Sequence, residues 1–130
     1  AGFSAFNGDS GILAVEMNGG RKQLVMSLQS VSLADDDKRV TEVKTDEKER
    51  VDCPSDRVYL RIDADFTGKK DEALFSYSLD NVTWHRIGTP CRMIFDYRRF
   101  FMGSKFAIFN YATRSLGGYV DVDSFTLETL

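Results

Sequence analysis

The sequence predicts an all-β fold, a two-sheet antiparallel β-sandwich of the jelly-roll type. Apolar and polar residues alternate along many short stretches, as they do in half-buried strands. Clusters of Gly, Asn, Asp and Ser separate these stretches and are typical of tight turns. Pro54 and Pro90 are the only prolines, and both fall in predicted loops. About nine short strands divided in this way favour a sandwich.

Composition indicates one globular domain over residues 1–130. Hydrophobic residues make up 42% of the chain, which suffices for a packed core. The net charge of −3, with no run of basic residues, argues against a nucleic-acid or anionic-membrane partner. Cys53 and Cys91 allow one disulfide, and the sequence leaves their pairing open. Because the chain starts at Ala1 without an initiator Met, we expect a module excised from a larger protein.

The first half predicts a meander followed by an edge strand. Residues 3–6 and 11–17 flank the turn sequence Asn7-Gly8-Asp9-Ser10, and a third strand over residues 22–28 follows Asn18-Gly19-Gly20. Residues 31–38 indicate a loop. The charged stretch 39–51 predicts an exposed edge strand, since charges deter pairing with other chains.

The second half predicts five further strands. They cover residues 58–66, 73–79, 83–87, 106–112 and 119–127. The hairpin sequence Ser78-x-Asp80-x-x-Thr83-Trp84 is similar to an Asp-box, in which Ser and Asp hold the turn and Trp packs inward.

Few residues suggest catalysis, so the sequence favours a non-catalytic module. A glycoside hydrolase needs two carboxylates facing each other across the sugar. The close pairs are Asp63 with Asp65 and Asp121 with Asp123, and we interpret them as solvated or turn-stabilising groups. His85 is the only histidine, which argues against a histidine metal cluster and a Ser-His-Asp triad.

Asp121 and Asp123 have a second interpretation as ligands of a structural calcium ion. Calcium takes six to eight oxygen ligands, commonly carboxylates and backbone carbonyls. A carboxylate on the last predicted strand could complete such a site with a loop from the start of the fold. The alternative, in which these carboxylates only accept backbone hydrogen bonds, stays open.

Aromatic residues are the candidates for binding a saccharide, because sugar C–H faces stack on flat rings. We name residues 94–102 (IFDYRRFFM) the aromatic connection, a long segment between two predicted strands. Its apolar residues could equally cap the open end of the sandwich. The candidate carbohydrate-binding residues are Tyr97, Arg98, Phe100, Phe101, Trp84 and Tyr111. For Trp84 the structural role in the hairpin carries more weight.

Three stretches carry a family resemblance: FSYSLDNVTWHRIG, FFMGSKFAIFNYAT and GGYVDVDSFTL. They resemble, in this order, the C-terminal concanavalin A-like β-sandwich of glycoside hydrolase family 43 β-xylosidases. The opening AGFSAF and the stretch VYLR also fit, so the likeness spans nearly the whole chain. Two departures are the lack of some N-terminal strands and Asn81-Val82 in place of a glycine-containing turn.

The resemblance implies an accessory module that follows a five-bladed propeller catalytic domain, in an extracellular or periplasmic enzyme. Our leading hypothesis is a carbohydrate-binding module for xylan or arabinoxylan. The alternative is a docking domain that packs on the propeller and adds an aromatic residue to its pocket. By position Phe100 or Phe101 would be that residue. The implied partners are plant-cell-wall oligosaccharides and the catalytic domain of the same polypeptide.

Overall fold

The computed structural model of the chain describes residues 1–99 and 101–129. Within them it contains nine strands and one short 3-10 helix. The strands are β1 Gly2–Phe6, β2 Ser10–Asn18, β3 Arg21–Leu33, β4 Val40–Asp52, β5 Tyr59–Asp65, β6 Glu72–Ser78, β7 His85–Arg86, β8 Cys91–Arg92 and β9 Lys105–Phe109, and the helix is Thr67–Lys69. No helix among these residues is long and apolar enough to cross a membrane.

The first sheet has five strands in the order β4-β3-β2-β1-β9, all antiparallel to their neighbours. The predicted meander of the first three strands is therefore confirmed. The edge strand predicted over residues 39–51 is β4, whose outer edge is charged as expected. β3 runs on to Leu33, three residues into the predicted loop, because β4 continues to pair with it there.

The second sheet consists of β5, β6 and β7 in this order, and β8 also pairs with β6. Ala73, Phe75 and Tyr77 share the inner face of β6, and Leu60 and Ile62 of β5 pack against the same core. These alternations agree with the predicted faces. The two antiparallel sheets confirm the predicted β-sandwich.

The core depends on one close approach between the sheets. The Phe75 ring is buried and faces β2 at Gly11. A Cβ atom on Gly11 would lie 2.4 Å from Phe75 Cζ and 2.8 Å from Cys91 Cβ, closer than atoms pack in proteins. Leu13 and Met26, neighbours across the β2–β3 ladder, belong to the same buried cluster as Phe75. Cys53 and Cys91 are both buried and free.

The prediction of a last strand over residues 119–127 was wrong. Residues 119–127 form no strand, and β9 ends at Phe109 although pairing was predicted to residue 112. Among the described residues, no neighbouring strand forms a hydrogen-bond ladder with this segment, and alternation alone does not hold an extended backbone. Phe125 touches Phe3 edge-on, with ring centroids 6.0 Å apart, so the segment still covers part of the first sheet.

Replacing Gly11 with Ala tests the close approach. The added methyl group meets the Phe75 ring and Cys91, so we expect a loss of about 1–3 kcal/mol in the free energy of unfolding. Urea unfolding monitored by circular dichroism measures it. Gly118→Ala is the matched control, because no atom lies within 4 Å of a Cβ there. Equal stability of the two variants would contradict this description of the core.

Candidate recognition site

The aromatic connection joins β8 to β9 and lies at the end of the sandwich formed by the β1–β2 turn. β8 pairs with the first residues of β6, and β9 begins beside Phe6 at the end of β1. The end of β8 and the start of β9 thus place the connection at one end of the sandwich. A hydrogen bond of 3.2 Å from Asn7 Nδ2 to Ser104 Oγ holds its far side to the turn.

Five side chains of alternating charge form successive ion pairs that hold the connection against the rest of the domain. Their order is Asp37, Arg98, Asp96, Arg99 and Asp9. We call this set the ion-pair chain. It joins the connection to the β1–β2 turn through Asp9 and to the β3–β4 turn through Asp37. The members nearest its centre are well covered, with side-chain exposures of 14% for Asp96 and 18% for Arg99.

Asp96 also shapes the backbone of the connection. Its Oδ1 accepts a hydrogen bond of 3.1 Å from the Arg98 backbone N–H, and its carbonyl oxygen accepts one of 3.1 Å from Arg99 N. This is an Asx-type turn, which Asp forms because its short side chain reaches the backbone two residues on. Arg98 donates twice more to the same carboxylate, at 3.0 Å each. These bonds lower the pKa of Asp96 from its ordinary value of 3.8 to about 2.

Above these polar contacts the connection exposes large apolar side chains. Phe101 is 82% exposed and Tyr97 is 63% exposed. Phe95, Ile94 and Met102 are exposed as well. A segment of this length that is held by its charged residues and turns its apolar residues to solvent indicates a surface made for contact.

The structure separates the other two candidate rings from the aromatic connection. Trp84 precedes β7, which pairs near Tyr77, whereas the connection follows β8, which pairs at Ala73. Tyr77 and Ala73 are four residues apart on β6, which corresponds to about 13 Å along the strand. Tyr111 lies beyond the other end of β9 and packs against Phe109, with ring centroids 5.7 Å apart. Tyr97, Arg98 and Phe101 therefore share one surface, and Trp84 and Tyr111 lie elsewhere.

Ser78 and Asp80 hold the hairpin turn, as the Asp-box interpretation predicted. Asp80 Oδ1 accepts hydrogen bonds from Val82 N at 2.9 Å and Thr83 N at 2.7 Å, and Ser78 Oγ donates to it at 2.9 Å. These bonds hold the pKa of Asp80 well below its usual range. Asn81 adopts a positive φ of 61°, the conformation that a glycine would otherwise supply. Trp84 is half-buried, and the Arg61 guanidinium lies 5.7 Å from its ring centroid.

The acidic pairs take part in ion pairs or face solvent. Asp63 contacts Arg61 at 2.7 Å and Arg86 at 3.2 Å. Asp123 contacts Arg57 at 3.1 Å, and Asp121 is exposed. In the described part of the chain no group of three or more His, Cys, Asp or Glu side chains could hold a metal ion. Calcium binding by Asp121 and Asp123 therefore stays a prediction.

Sequence reasoning selected the aromatic connection but missed what holds it. Asp9 appeared only as a turn residue, because 90 positions separate it from Arg99 and no local pattern joins the two. Phe100, the other aromatic residue expected to reach a partner, lies outside the described residues. Its role stays a prediction.

Comparison with known proteins gives a consistent picture. Residues 1–128 match the family model described as the β-xylosidase C-terminal concanavalin A-like domain. A similar solved structure is described as a bifunctional GH43-CE protein of Bacteroides eggerthii, with 32% sequence identity and a TM-score of 0.71. The match covers 90% of this chain and 14% of that one. No curated protein matches the chain.

Replacing Asp96 with Asn tests the pH dependence of the turn. The folded-state pKa of Asp96 is lowered, so its charge stabilises the fold above about pH 4, and this contribution is lost as pH falls toward about pH 2. We expect wild type to be the more stable protein at pH 6, and the difference to vanish near pH 2. Urea unfolding at several pH values measures it. Asp121→Asn is the control, since Asp121 has no ion-pair partner among the described residues. A difference that persists at pH 2 would contradict the assignment.

Proposed function

Because the chain belongs to the family of β-xylosidase C-terminal concanavalin A-like domains, we propose that it packs on a catalytic domain of the same polypeptide. It is an accessory domain of glycoside hydrolase family 43 enzymes. The proposed contact surface is the aromatic connection. Phe101 would be its central residue and would extend toward the catalytic pocket. The exposure of Phe101 carries this proposal.

The side chains of the connection suit a protein partner. Phe95, Phe101 and Met102 offer apolar surface and no hydrogen-bonding group, and aromatic residues with Met are enriched in protein interfaces. Contact between domains of one chain buries about 600–1,500 Å², a range that a dozen or so exposed side chains can supply. The solved relative supports this setting, because most of its length lies outside the region that this chain matches.

The polar groups of the connection are largely used within the molecule. Arg98 donates its Nε and Nη2 to Asp96, and its Nη1 lies 3.5 Å from Asp37. A sugar site needs polar groups placed to fix hydroxyls beside the stacking ring. With Arg98 already paired, a docking role is favoured over glycan binding at this surface.

Phe101→Asp tests the docking function. We expect the separately produced catalytic domain of the same polypeptide to bind the wild-type chain. The variant should bind about tenfold more weakly or worse, because a central aromatic contact is lost and a charge is buried. Isothermal titration calorimetry measures the affinity.

The matched control is Val82→Asp, because Val82 is 79% exposed but lies in the Asp-box turn. It should leave the affinity unchanged. Equal binding by both variants, or no complex with the wild-type chain, would contradict the docking function.

Glycan binding is the second candidate function. The exposed Tyr97 ring supports it, since a ring with a phenolic hydroxyl can stack on a sugar and also hydrogen-bond to it. The ligand would be xylan or arabinoxylan, the substrates that a xylosidase setting suggests. Such a shallow site would bind with a Kd of about millimolar to micromolar and act by keeping the enzyme near its polymer.

Titration with xylohexaose and arabinoxylan tests this second function. We expect Tyr97→Ala to lower any measured affinity by about tenfold, since stacking on one ring is the main contact. Tyr119→Ala is the control, because Tyr119 is also exposed but lies on the C-terminal segment. An absence of heat and of gel retardation with the wild-type chain would exclude glycan binding.

A further inference from the structure

We propose that Arg99 is the positioning residue of the aromatic connection, and that Asp9 and Gly8 form the receptor for its guanidinium group. Only the expected effect of Arg99 on binding rests on the proposed function. The positioning role itself concerns the order of residues 94–102 in the free protein, which is measurable without any partner.

The guanidinium of Arg99 joins three separate parts of the fold. Its Nη1 lies 2.6 Å from Asp9 Oδ1 in the β1–β2 turn and 3.2 Å from the carbonyl oxygen of Val31 in β3. Its Nε donates to Asp96 Oδ2 at 3.1 Å within the connection. Displacement of the connection would break the contacts to Asp9 and to the Val31 carbonyl together, and a group with only 18% side-chain exposure would lose them without full compensation by water.

The β1–β2 turn is shaped to receive this side chain. A Cβ atom on Gly8 would lie 2.8 Å from Arg99 Cβ and 3.3 Å from its Nε, so a larger residue there would displace the arginine. Asp9 Oδ1 also accepts a hydrogen bond of 3.2 Å from Val31 N. The hydrogen bond from β3 therefore orients the Asp9 carboxylate independently of the guanidinium.

Lysine could not take over this role. Arg99 uses two different nitrogens of its planar group on Asp96, Asp9 and the Val31 carbonyl, whereas an ammonium group at the end of a flexible chain is a single charge centre. A lysine ammonium could donate to these acceptors only from one nitrogen, without the fixed separation of Nε and Nη1. The positioning function thus depends on the shape of arginine and not on its charge alone.

Positioning matters because exposed side chains lose conformational entropy when they bind. A connection that is already held in one arrangement loses less than a mobile one, and its partner is bound more tightly with no additional contact. Arg99 would in this way act on affinity through Tyr97 and Phe101 without touching the partner itself.

Hydrogen–deuterium exchange of the free chain tests the proposal. We expect Arg99→Gln to raise the exchange rates of amides in residues 94–102 by about tenfold, with the two sheets unchanged. Arg99→Lys should give an intermediate increase. The control is Arg21→Gln, which removes an exposed bidentate pair with Asp52 at another site. If Arg99→Gln fails to fold, Asp9→Asn provides the same measurement, because asparagine can still accept the bond from Val31 N.

The outcomes separate the two proposals. Faster exchange confined to the connection, together with weaker binding to the catalytic domain, supports both. Faster exchange with a wild-type chain that binds nothing supports positioning and contradicts the docking function. Exchange that rises equally across both sheets, or that stays unchanged in Arg99→Gln and Asp9→Asn, would overturn the positioning role.

Discussion

The packing of the Phe75 ring against the bare backbone of Gly11 is the contact on which the sandwich depends. It sets the distance between the sheets at the start of β2, because no side chain at Gly11 separates the ring from the strand. Cys91 fills the adjacent space, and it pairs with Ala73 where β8 joins β6. The aromatic connection begins at Ile94, two residues after β8 ends at Arg92. The packing of Cys91 in the core therefore positions the start of the connection.

The other end of the connection is fixed by different physics. Apolar burial holds β8, whereas charge and hydrogen bonding hold the segment that follows it. The ion-pair chain works here because its central members are partly shielded from water, where a pair of charges is screened less than on an open surface. Asp96 contributes twice, once as the turn-forming side chain and once as the partner of two arginines. The same carboxylate thus sets the local backbone and joins it to the rest of the fold.

Much of the fold could be predicted from sequence, since strand alternation and turn chemistry are local. The meander, the charged edge strand β4, the inner face of β6 and the Asp-box turn at Asp80 all follow from residues that lie close together in the chain. The strand predicted over residues 119–127 was wrong because pairing requires a neighbour, which a local pattern does not reveal. The candidate site was only half predictable. The aromatic residues of the connection could be identified from the sequence, but their exposure and the partnership of Arg99 with Asp9 depend on the tertiary fold.

The described residues of the aromatic connection include two kinds of position. Asp96 and Arg99 face the body of the domain and hold the backbone, while Tyr97 and Phe101 face outward and contribute little to the fold. Substitution at the outward positions therefore changes what the surface recognises at small cost to stability. Changes at these outward positions would leave the scaffold of this chain in place. For protein engineering, the same division makes the connection a place to graft new recognition sequences between fixed ends.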